Sequence, residues 1–560
     1  MKNTNNHDAS PAVSLYTART SLRRLSALEG MAPPENVNPL DLATWLAPRF
    51  EFLPKPIFFE ANGDELIIRY PAESESSRAK AAELFNCAVK RAAQGDYEAA
   101  ARLLRRTLEK QPSLHDARRD LAHAYVELGD SEKAKLVLLN VLWCDPDDLW
   151  ALIALGASYF EERDYERAER FTTLALAIEP RTAQALSNLG MVYQATGRAE
   201  QAITVLQQAI EIEPALPNSH YALARQLFEQ GNFRESAAAV ERLFASAKPQ
   251  NKRSAKTFDA ARGCFASCQS ELAQQNHPAA MRTVSKLQAE TEQLIGCPIR
   301  IDYKATRDIM SGSGVALAMH YDRHDGVLQC QPEGTENARP HLVGNALLRI
   351  QADWGAARAS KRRRAVVTEE QVSRLVSLFG PLSVQLSTEA RNQLTAVTAQ
   401  MALVPIYTLL SSAPHMLVET RLKQRFPELR PAQYLSLSED FLGNWQARQA
   451  LKMARLPRMP RLLARAILAL CALDGLFLDE LFGGVTDLAG RCQEAEASDL
   501  SRKLWQHWQS KSASMEPGDE YVILEDFAEI LGLSGRFGWV QIPFFDGCNQ
   551  DPASPTLFDL

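Results

Sequence analysis

Pro112, Pro146, Pro180 and Pro214 stand 34 residues apart, and Ala100, Ala134, Ala168 and Ala202 keep the same step ahead of them. With proline at about 5% of residues, three further matches at one fixed step have a chance on the order of 10⁻⁴ per starting proline. The chain has 29 prolines, so coincidence is a poor explanation. A period of 34 residues fits one helix-turn-helix unit, and such units bury their apolar faces only by stacking on one another. The expected fold class is mainly α: an α-α superhelix followed by a smaller α+β, helix-rich C-terminal domain.

Units beginning at Ala81, His115, Leu149, Ala183 and Pro217 place Ala88, Ala122, Gly156, Gly190 and Ala224 at the eighth position. The twentieth position holds the four alanines and then Ser236. Small residues at both columns let the two helices of a pair approach closely. The fifteenth position carries Gly95, Gly129, Arg163, Gly197 and Gly231, as a left-handed helix end prefers, so a strained turn is expected at Arg163 alone. Leu121, Leu155, Leu189 and Leu223 at the seventh position and Tyr125, Tyr159 and Tyr193 at the eleventh share one helical face and are expected in the core. The prolines close each second helix.

This pattern resembles the tetratricopeptide repeat family, in stretches such as A-I-T-V-L-Q-Q-A-I-E-I-E-P (Ala202 to Pro214) and L-S-N-L-G-M-V-Y (Leu186 to Tyr193). The resemblance covers Ala81 to about Pro249. The terminal units depart from it, with Arg91 replacing the aromatic and Lys248 in the proline position; end units face solvent or another domain.

The 560 residues suffice for two to four domains. A net charge of −6 lacks the electrostatic footprint of a dedicated nucleic-acid binder, and Lys361 to Arg364 is a local basic run expected in a solvated loop. Nine scattered cysteines and a polar Met1 to Ala12 lead to the expectation of a reducing cytoplasm. Cys264 and Cys268, four apart on a helix, are expected as buried structural thiols. Leu462 to Leu481, interrupted by Arg465, Asp474 and Asp479, is expected as a buried helix pair rather than a membrane span.

Residues 1–80 are expected to hold a tail, a helix up to Gly30, and a hairpin from P-I-F-F-E-A through Asn62-Gly63-Asp64 to E-L-I-I-R-Y. The solenoid spans 81–250. Residues 251–296 continue it with two helices split near Asn276-His277-Pro278. An α+β domain follows over 297–490, with strands at P-I-R-I-D-Y, V-A-L-A-M-H-Y and, after an Asp325-Gly326 turn, G-V-L-Q-C-Q. Helices are expected to start at the capping box Thr368 to Gln371 and after Pro414. Residues 491–560 add a helix and a mixed segment.

Strand, turn, strand and helix from Gly314 to Arg358 resemble the zincin metallopeptidases, whose helix carries HExxH. In that resemblance Asn345, Ala346 and Arg349 occupy the places of His, Glu and His. Met416 to Leu437 (M-L-V-E-T-R-L-K-Q-R-F-P-E-L-R-P-A-Q-Y-L-S-L) resembles the downstream part of bacterial proteins that join tetratricopeptide repeats to such a domain, which makes Glu419 the matching third ligand. The resemblance implies a degenerate, non-catalytic scaffold: Asn is a poor zinc ligand, Ala cannot take a proton, and Arg349 places a positive charge where a metal would sit. No metal or cofactor is expected. The rival is a metallopeptidase with unusual zinc ligands such as His320, His324, His341 or Glu419. A third reading is a regulatory subunit contacting nucleic acid through Lys361 to Arg364. The stretch S-G-S-G, Ser311 to Gly314, lacks the Lys and helix of a nucleotide loop.

In tetratricopeptide arrays, positions two, five, six, nine and twelve of each first helix line a concave groove. The resemblance assigns Arg119, His123, Trp150, Phe160, Gln184, Asn188, Gln194, Asn218, Tyr221, Arg225 and Phe228 to that face. Aromatic anchors and side-chain donors suit an extended or helical peptide. The expected function is a protein-interaction scaffold that takes a protein or peptide partner in this groove.

Overall fold

The computed structural model describes residues 16–21, 50, 53, 57–62, 65–70, 73–250, 252–303, 315–320, 325–330, 336–380, 388–453, 459–491 and 495–542. It divides into two compact units, Met1–Gln226 and Leu227–Leu560. The chain is mainly α-helical, with a superhelix of the expected kind in its N-terminal half.

The first unit opens with an antiparallel sheet ordered β1 (Tyr16–Ser21), β3 (Glu65–Tyr70), β2 (Phe58–Asn62). The hairpin is present, with Asn62 opposite Glu65; Gly63 and Asp64 lie outside the described residues. Part of the expected first helix is instead a strand: Tyr16 to Ser21 pair with Tyr70 to Glu65. A two-stranded hairpin is marginal alone, and this third strand completes a sheet that can pack. Phe50, Leu53, Leu66, Ile68 and Tyr70 share one core with Leu104, Leu121, Leu138, Trp143 and Leu155 of the repeats.

Helices follow in pairs: α1 (Glu75–Ala93) and α2 (Tyr97–Lys110), α3 (His115–Leu128) and α4 (Ser131–Cys144), α5 (Leu149–Glu161) and α6 (Tyr165–Ile178), α7 (Ala183–Ala195) and α8 (Ala199–Ile212). Then come α9 (Pro217–Glu229), inside which the division between units falls, and α10 (Phe233–Ser246). Four first helices start where the period places them; the first reaches back to Glu75.

The small columns are needed sterically. A Cβ on Gly156 would lie 2.5 Å from Thr172 Oγ1, and one on Gly190 2.5 Å from Leu206 Cγ. The tyrosines at the eleventh position are half-buried rather than core. Each carries a cation over its ring from the start of the helix that follows, Arg198 at 4.2 Å from the Tyr193 centroid being the nearest.

Gly95, Gly129, Gly197 and Gly231 adopt φ of 75 to 78°, and Arg163 adopts φ 63° at the same column. A non-glycine residue pays for that conformation. Arg163→Gly is expected to raise stability by about 0.5 kcal/mol, the relief of left-handed strain less the added freedom of an unfolded glycine. Urea denaturation of both chains checks this.

In the second unit, α11 (Lys252–Ile295) is one 44-residue helix that runs through Pro278, not two helices split there. Contacts with α10, α12 and α15 along its length outweigh the single hydrogen bond a proline removes. Cys268 is buried and its thiol donates to Ser236 Oγ at 3.1 Å. The Cys264 thiol beside it and burial push the Cys268 thiol far up, which makes it inert.

Three strands follow in the order β4 (Ile299–Tyr303), β6 (Asp325–Cys330), β5 (Val315–His320), with β4 parallel and β5 antiparallel to β6. Asp325 and Gly326 are strand, not turn. Next come α12 (Arg339–Arg358), β7 (Arg363–Val366), α13 (Glu369–Ser377), α14 (Thr388–Arg425), α15 (Arg430–Met453), α16 (Arg461–Leu481), α17 (Ala495–Lys511), α18 (Glu520–Leu531) and β8 (Gly538–Gln541).

The capping box at Thr368 and Gln371 forms. No helix starts after Pro414; α14 passes through Pro405 and Pro414, held by the buried Ala402, Ile406, Leu409, Ala413 and Met416. Leu462 to Leu481 belongs to one buried helix rather than a pair. Arg363 and Arg364 stand on β7, which pairs antiparallel with β8, while Lys361 and Arg362 lie in the loop before it, so the basic run is half loop and half strand.

Candidate functional site: the first-helix face and a buried carboxylate hub

The assigned face begins with a run of rings. Tyr97 lies 6.0 Å from His123, and His123 lies 6.5 Å from Trp150, centroid to centroid. The Arg119 guanidinium stands 5.6 Å from the Trp150 ring and its Nε 3.4 Å from Asp148 Oδ2. Asp148 caps α5 by accepting from the Ala151 amide at 2.8 Å, and it is 2.9 Å from His115 Nε2. Burial would raise the Asp148 carboxyl, but His115, the Ala151 amide and Arg119 together hold it below its ordinary value. Asp148 therefore stays ionised and fixes the rotamer that stacks Arg119 on Trp150.

Phe160 packs 5.7 Å from Tyr165. Asn188 donates from Nδ2 to the Ile153 carbonyl at 3.2 Å, so it ties α7 to α5. Gln184, Asn218 and Arg225 are exposed; Gln194 and Tyr221 are half-buried. Among the described residues the buried Gln194 Nε2 has no hydrogen-bond partner. Phe228 belongs to the second unit, where it packs 5.1 Å from Phe233.

The sequence reading missed two members of this region, Tyr97 at the start of the second helix α2 and Asp148. Asp148 belongs to the loop before α5, outside the columns assigned to the groove. Ligand atoms of His115, Asp145 and Asp148 lie within 4.8 Å of one another, a spacing that suits a cation, although Arg119 already neutralises the shared carboxylate.

In the second unit, Glu419 on α14 is fully buried and accepts from three side chains. His341 Nε2 lies 2.9 Å from Oε2 and 3.1 Å from Oε1, Gln433 Nε2 donates to Oε2 at 2.6 Å, and Asn345 Nδ2 donates to Oε1. Gln433 also donates to the Glu419 carbonyl at 3.0 Å. Burial would raise the carboxyl, but His341 by charge and hydrogen bond, then His415 and Gln433, hold it down at about 2.

His415, one turn before Glu419, is lowered to about 4, chiefly by burial, with Arg349 and His341 adding to the effect against Glu419. Asp440 is raised to about 6, chiefly by burial. Arg349 meets water along its side chain, yet the protein packed around it lowers its guanidinium, an effect Glu419 opposes.

Of the three residues aligned with HExxH, only Asn345 bonds to Glu419. Ala346 packs in the apolar core with Val343 and Leu347, and Arg349 acts on Glu419 through charge alone. The pair four apart that converges on Glu419 is His341 and Asn345. His324 and the side chain of His320 lie outside the described residues. The basic run is engaged locally: Lys361 meets Asp519 at 2.8 Å, Arg362 meets Asp353 at 2.8 Å and Arg363 meets Glu525 at 3.0 Å.

Paired helices on a 34-residue period, with small residues at each crossing, define a tetratricopeptide-repeat solenoid. Family profiles agree: one described as a tetratricopeptide repeat matches residues 91–156, and one described as a TPR repeat matches residues 192–231. Among solved structures, a thermophilic TPR protein of Thermus thermophilus, TTC0263, is 23% identical with a TM-score of 0.29, the match covering 32% of this chain and 98% of that one. MamA from Desulfovibrio magneticus RS-1 is 22% identical with a TM-score of 0.27, covering 30% and 94%. Pseudomonas aeruginosa pilF is 21% identical with a TM-score of 0.29, covering 36% and 94%. No curated protein matches the sequence significantly.

Proposed function

We propose that the chain is a protein-interaction scaffold whose first-helix face in the repeats captures a peptide segment of a partner, while the domain after residue 297 is non-catalytic. The observation that carries the first part is the ring run Tyr97, His123 and Trp150, with Arg119 held over Trp150 by Asp148. Rigid aromatic and arginine anchors supply most of the energy in such interfaces, and a pre-set rotamer lowers the entropy a partner must overcome.

The second part rests on Glu419. Donors from His341, Asn345 and Gln433 already engage both of its oxygens, which leaves a structural hub rather than a free base or ligand. A degenerate zincin-like reading, with Asn345, Ala346 and Arg349 in the places of His, Glu and His, keeps only Asn345 of the three bonded to Glu419, and Ala346 and Arg349 supply neither a base nor a second imidazole.

The test is affinity capture from the native cells with the intact chain and with a variant carrying Arg119→Ala, Trp150→Ala, Tyr221→Ala and Arg225→Ala. The wild type is expected to retain a specific partner and the variant to lose it by tenfold or more, about 1.4 kcal/mol. Equal capture by both chains would sink the groove assignment.

A further inference from the structure

A cleft of about 500 Å³ opens in the second unit, between the last turn of α11, the middle of α12, the end of α14 and the turn before α18. That size suits a small molecule. Its lining is of two kinds. Leu294, Leu348, Ala352 and Pro517 make an apolar floor, on which Leu294 is 39% exposed. Arg421, Gln424 and Arg425 of α14 bring polar groups to the same space.

The two arginines are not equivalent. The Arg425 guanidinium meets Glu290 Oε2 at 2.5 Å and lies 5.0 Å from the centre of the Phe426 ring, so its charge is matched. Arg421 is half-buried, and its one hydrogen bond runs from Nη2 to the Met515 carbonyl at 3.4 Å, a length at which such a bond is weak. Among the described residues it has no carboxylate at ion-pair distance. The acid that feels its charge is Glu520, which is buried and accepts from the Gly518 amide at 2.7 Å. Burial pushes the Glu520 carboxyl above its ordinary value, against the effect of Arg421. A guanidinium carries a planar fork of N–H donors, and most of those on Arg421 have no protein acceptor.

A donor fork beside an apolar floor selects a ligand. A guanidinium holds a carboxylate through two parallel hydrogen bonds, and the exposed Gln424 carboxamide adds a neutral donor one turn away. A phosphate monoester carries close to two charges at neutral pH, and one would have no cation to meet, because Arg425 already faces Glu290. An amine would meet a like charge. A monoanion with an apolar body suits both parts of the lining. We infer that this cleft binds a small organic carboxylate, with its carboxyl group in a two-point contact on Arg421 and its hydrocarbon body on Leu294, Leu348, Ala352 and Pro517.

Isothermal titration calorimetry of the intact chain with sodium octanoate tests this. One saturable site with a Kd of about 100 µM or tighter is expected, with acetate and octylamine each weaker by about tenfold or more. Arg421→Gln should weaken octanoate by about tenfold or more, and Leu294→Asp, at an exposed position, should do the same by setting a like charge on the floor. Arg425→Gln should change the affinity by less than about threefold. Circular dichroism reports whether each variant folds, and if Arg421→Gln does not, Leu294→Asp decides. Octanoate that shows no saturable binding up to about 5 mM overturns the inference, as does binding that survives the substitutions at Arg421 and Leu294. So does octyl phosphate that binds about tenfold tighter than octanoate, which would assign the cleft to a phosphate.

Discussion

Glu419→Ala is expected to destabilise the second unit by about 3–5 kcal/mol, the usual cost of removing one partner from a buried charged network. The carboxylate joins three helices: His341 and Asn345 come from α12, Gln433 from α15, and Glu419 itself from α14. Alanine takes the carboxylate from three donors, of which Gln433 keeps only its bond to the main-chain carbonyl of residue 419, each lost bond costing about 1–3 kcal/mol, and it leaves a cavity. Urea denaturation monitored by circular dichroism should show the loss as a lower midpoint.

The pH dependence has a definite sign. Glu419 ionises near 4.5 when unfolded and is held at about 2 when folded, so its stabilisation is present above pH 4.5 and is lost as pH falls toward 2. That gap is worth about 3 kcal/mol. His415, lowered from 6.5 to about 4, stays neutral in the fold, so stability falls between pH 6.5 and 4 as the unfolded chain takes up the proton first. Asp440, raised from 3.8 to about 6, works the opposite way and adds stability as pH falls from 6 to 3.8. The two oppose each other between pH 6 and 4, and Glu419 decides the outcome below 4.5. Stability should therefore drop between pH 4.5 and 3 in the wild type, and Glu419→Ala should flatten that drop.

Gly475→Val is the second large effect, with an expected loss of about 3 kcal/mol or more. A Cβ at Gly475 on α16 would lie 2.8 Å from the Ala489 nitrogen and 3.0 Å from both Ala489 Cα and the Leu488 carbonyl carbon. These are main-chain atoms, so no rotamer relieves the contact. They are also pinned, because the Asp479 carboxylate accepts from the Leu488 amide at 2.8 Å and the Ala489 amide at 3.1 Å. Valine must either displace that segment and break both bonds or distort α16. Thermal unfolding should show a marked fall in midpoint relative to wild type.

The repeats were legible because their signal is local and periodic. Helix starts at His115, Leu149, Ala183 and Pro217 follow from the proline period, and the strain at Arg163 follows from one missing glycine. Less visible were the aspartates one residue after each turn, Asp96, Asp130 and Asp164, which cap the second helices.

The proline rule misled at Pro278, Pro405 and Pro414. Tertiary packing along helices of 44 and 38 residues outweighs the bond each proline removes. Tyr16–Ser21 lacks a periodic signature of its own; it is a strand because β3 offers it an edge.

Glu419 was singled out as a partner of the α12 face, but Gln433 was not. Nothing in a sequence marks a glutamine on a third helix as the donor that completes a hub. Arg349 was placed against Glu419 by alignment alone, whereas geometry gives that contact to His341, one turn to the other side of Asn345. Asp148 went unnoticed in the groove because its role depends on His115 and Arg119, which stand near the opposite end of the same 34-residue unit.

The most direct test of the scaffold reading is site-specific photocrosslinking in the native cells. p-Benzoylphenylalanine would replace Gln184, exposed on the assigned face of α7, and in a second chain Gln207, exposed on α8. The account predicts that position 184 crosslinks a discrete partner protein, that position 207 does not, and that the Arg119, Trp150, Tyr221 and Arg225 alanine changes abolish the crosslink. A partner crosslinked from position 207 alone, or one from position 184 that survives those changes, would contradict it.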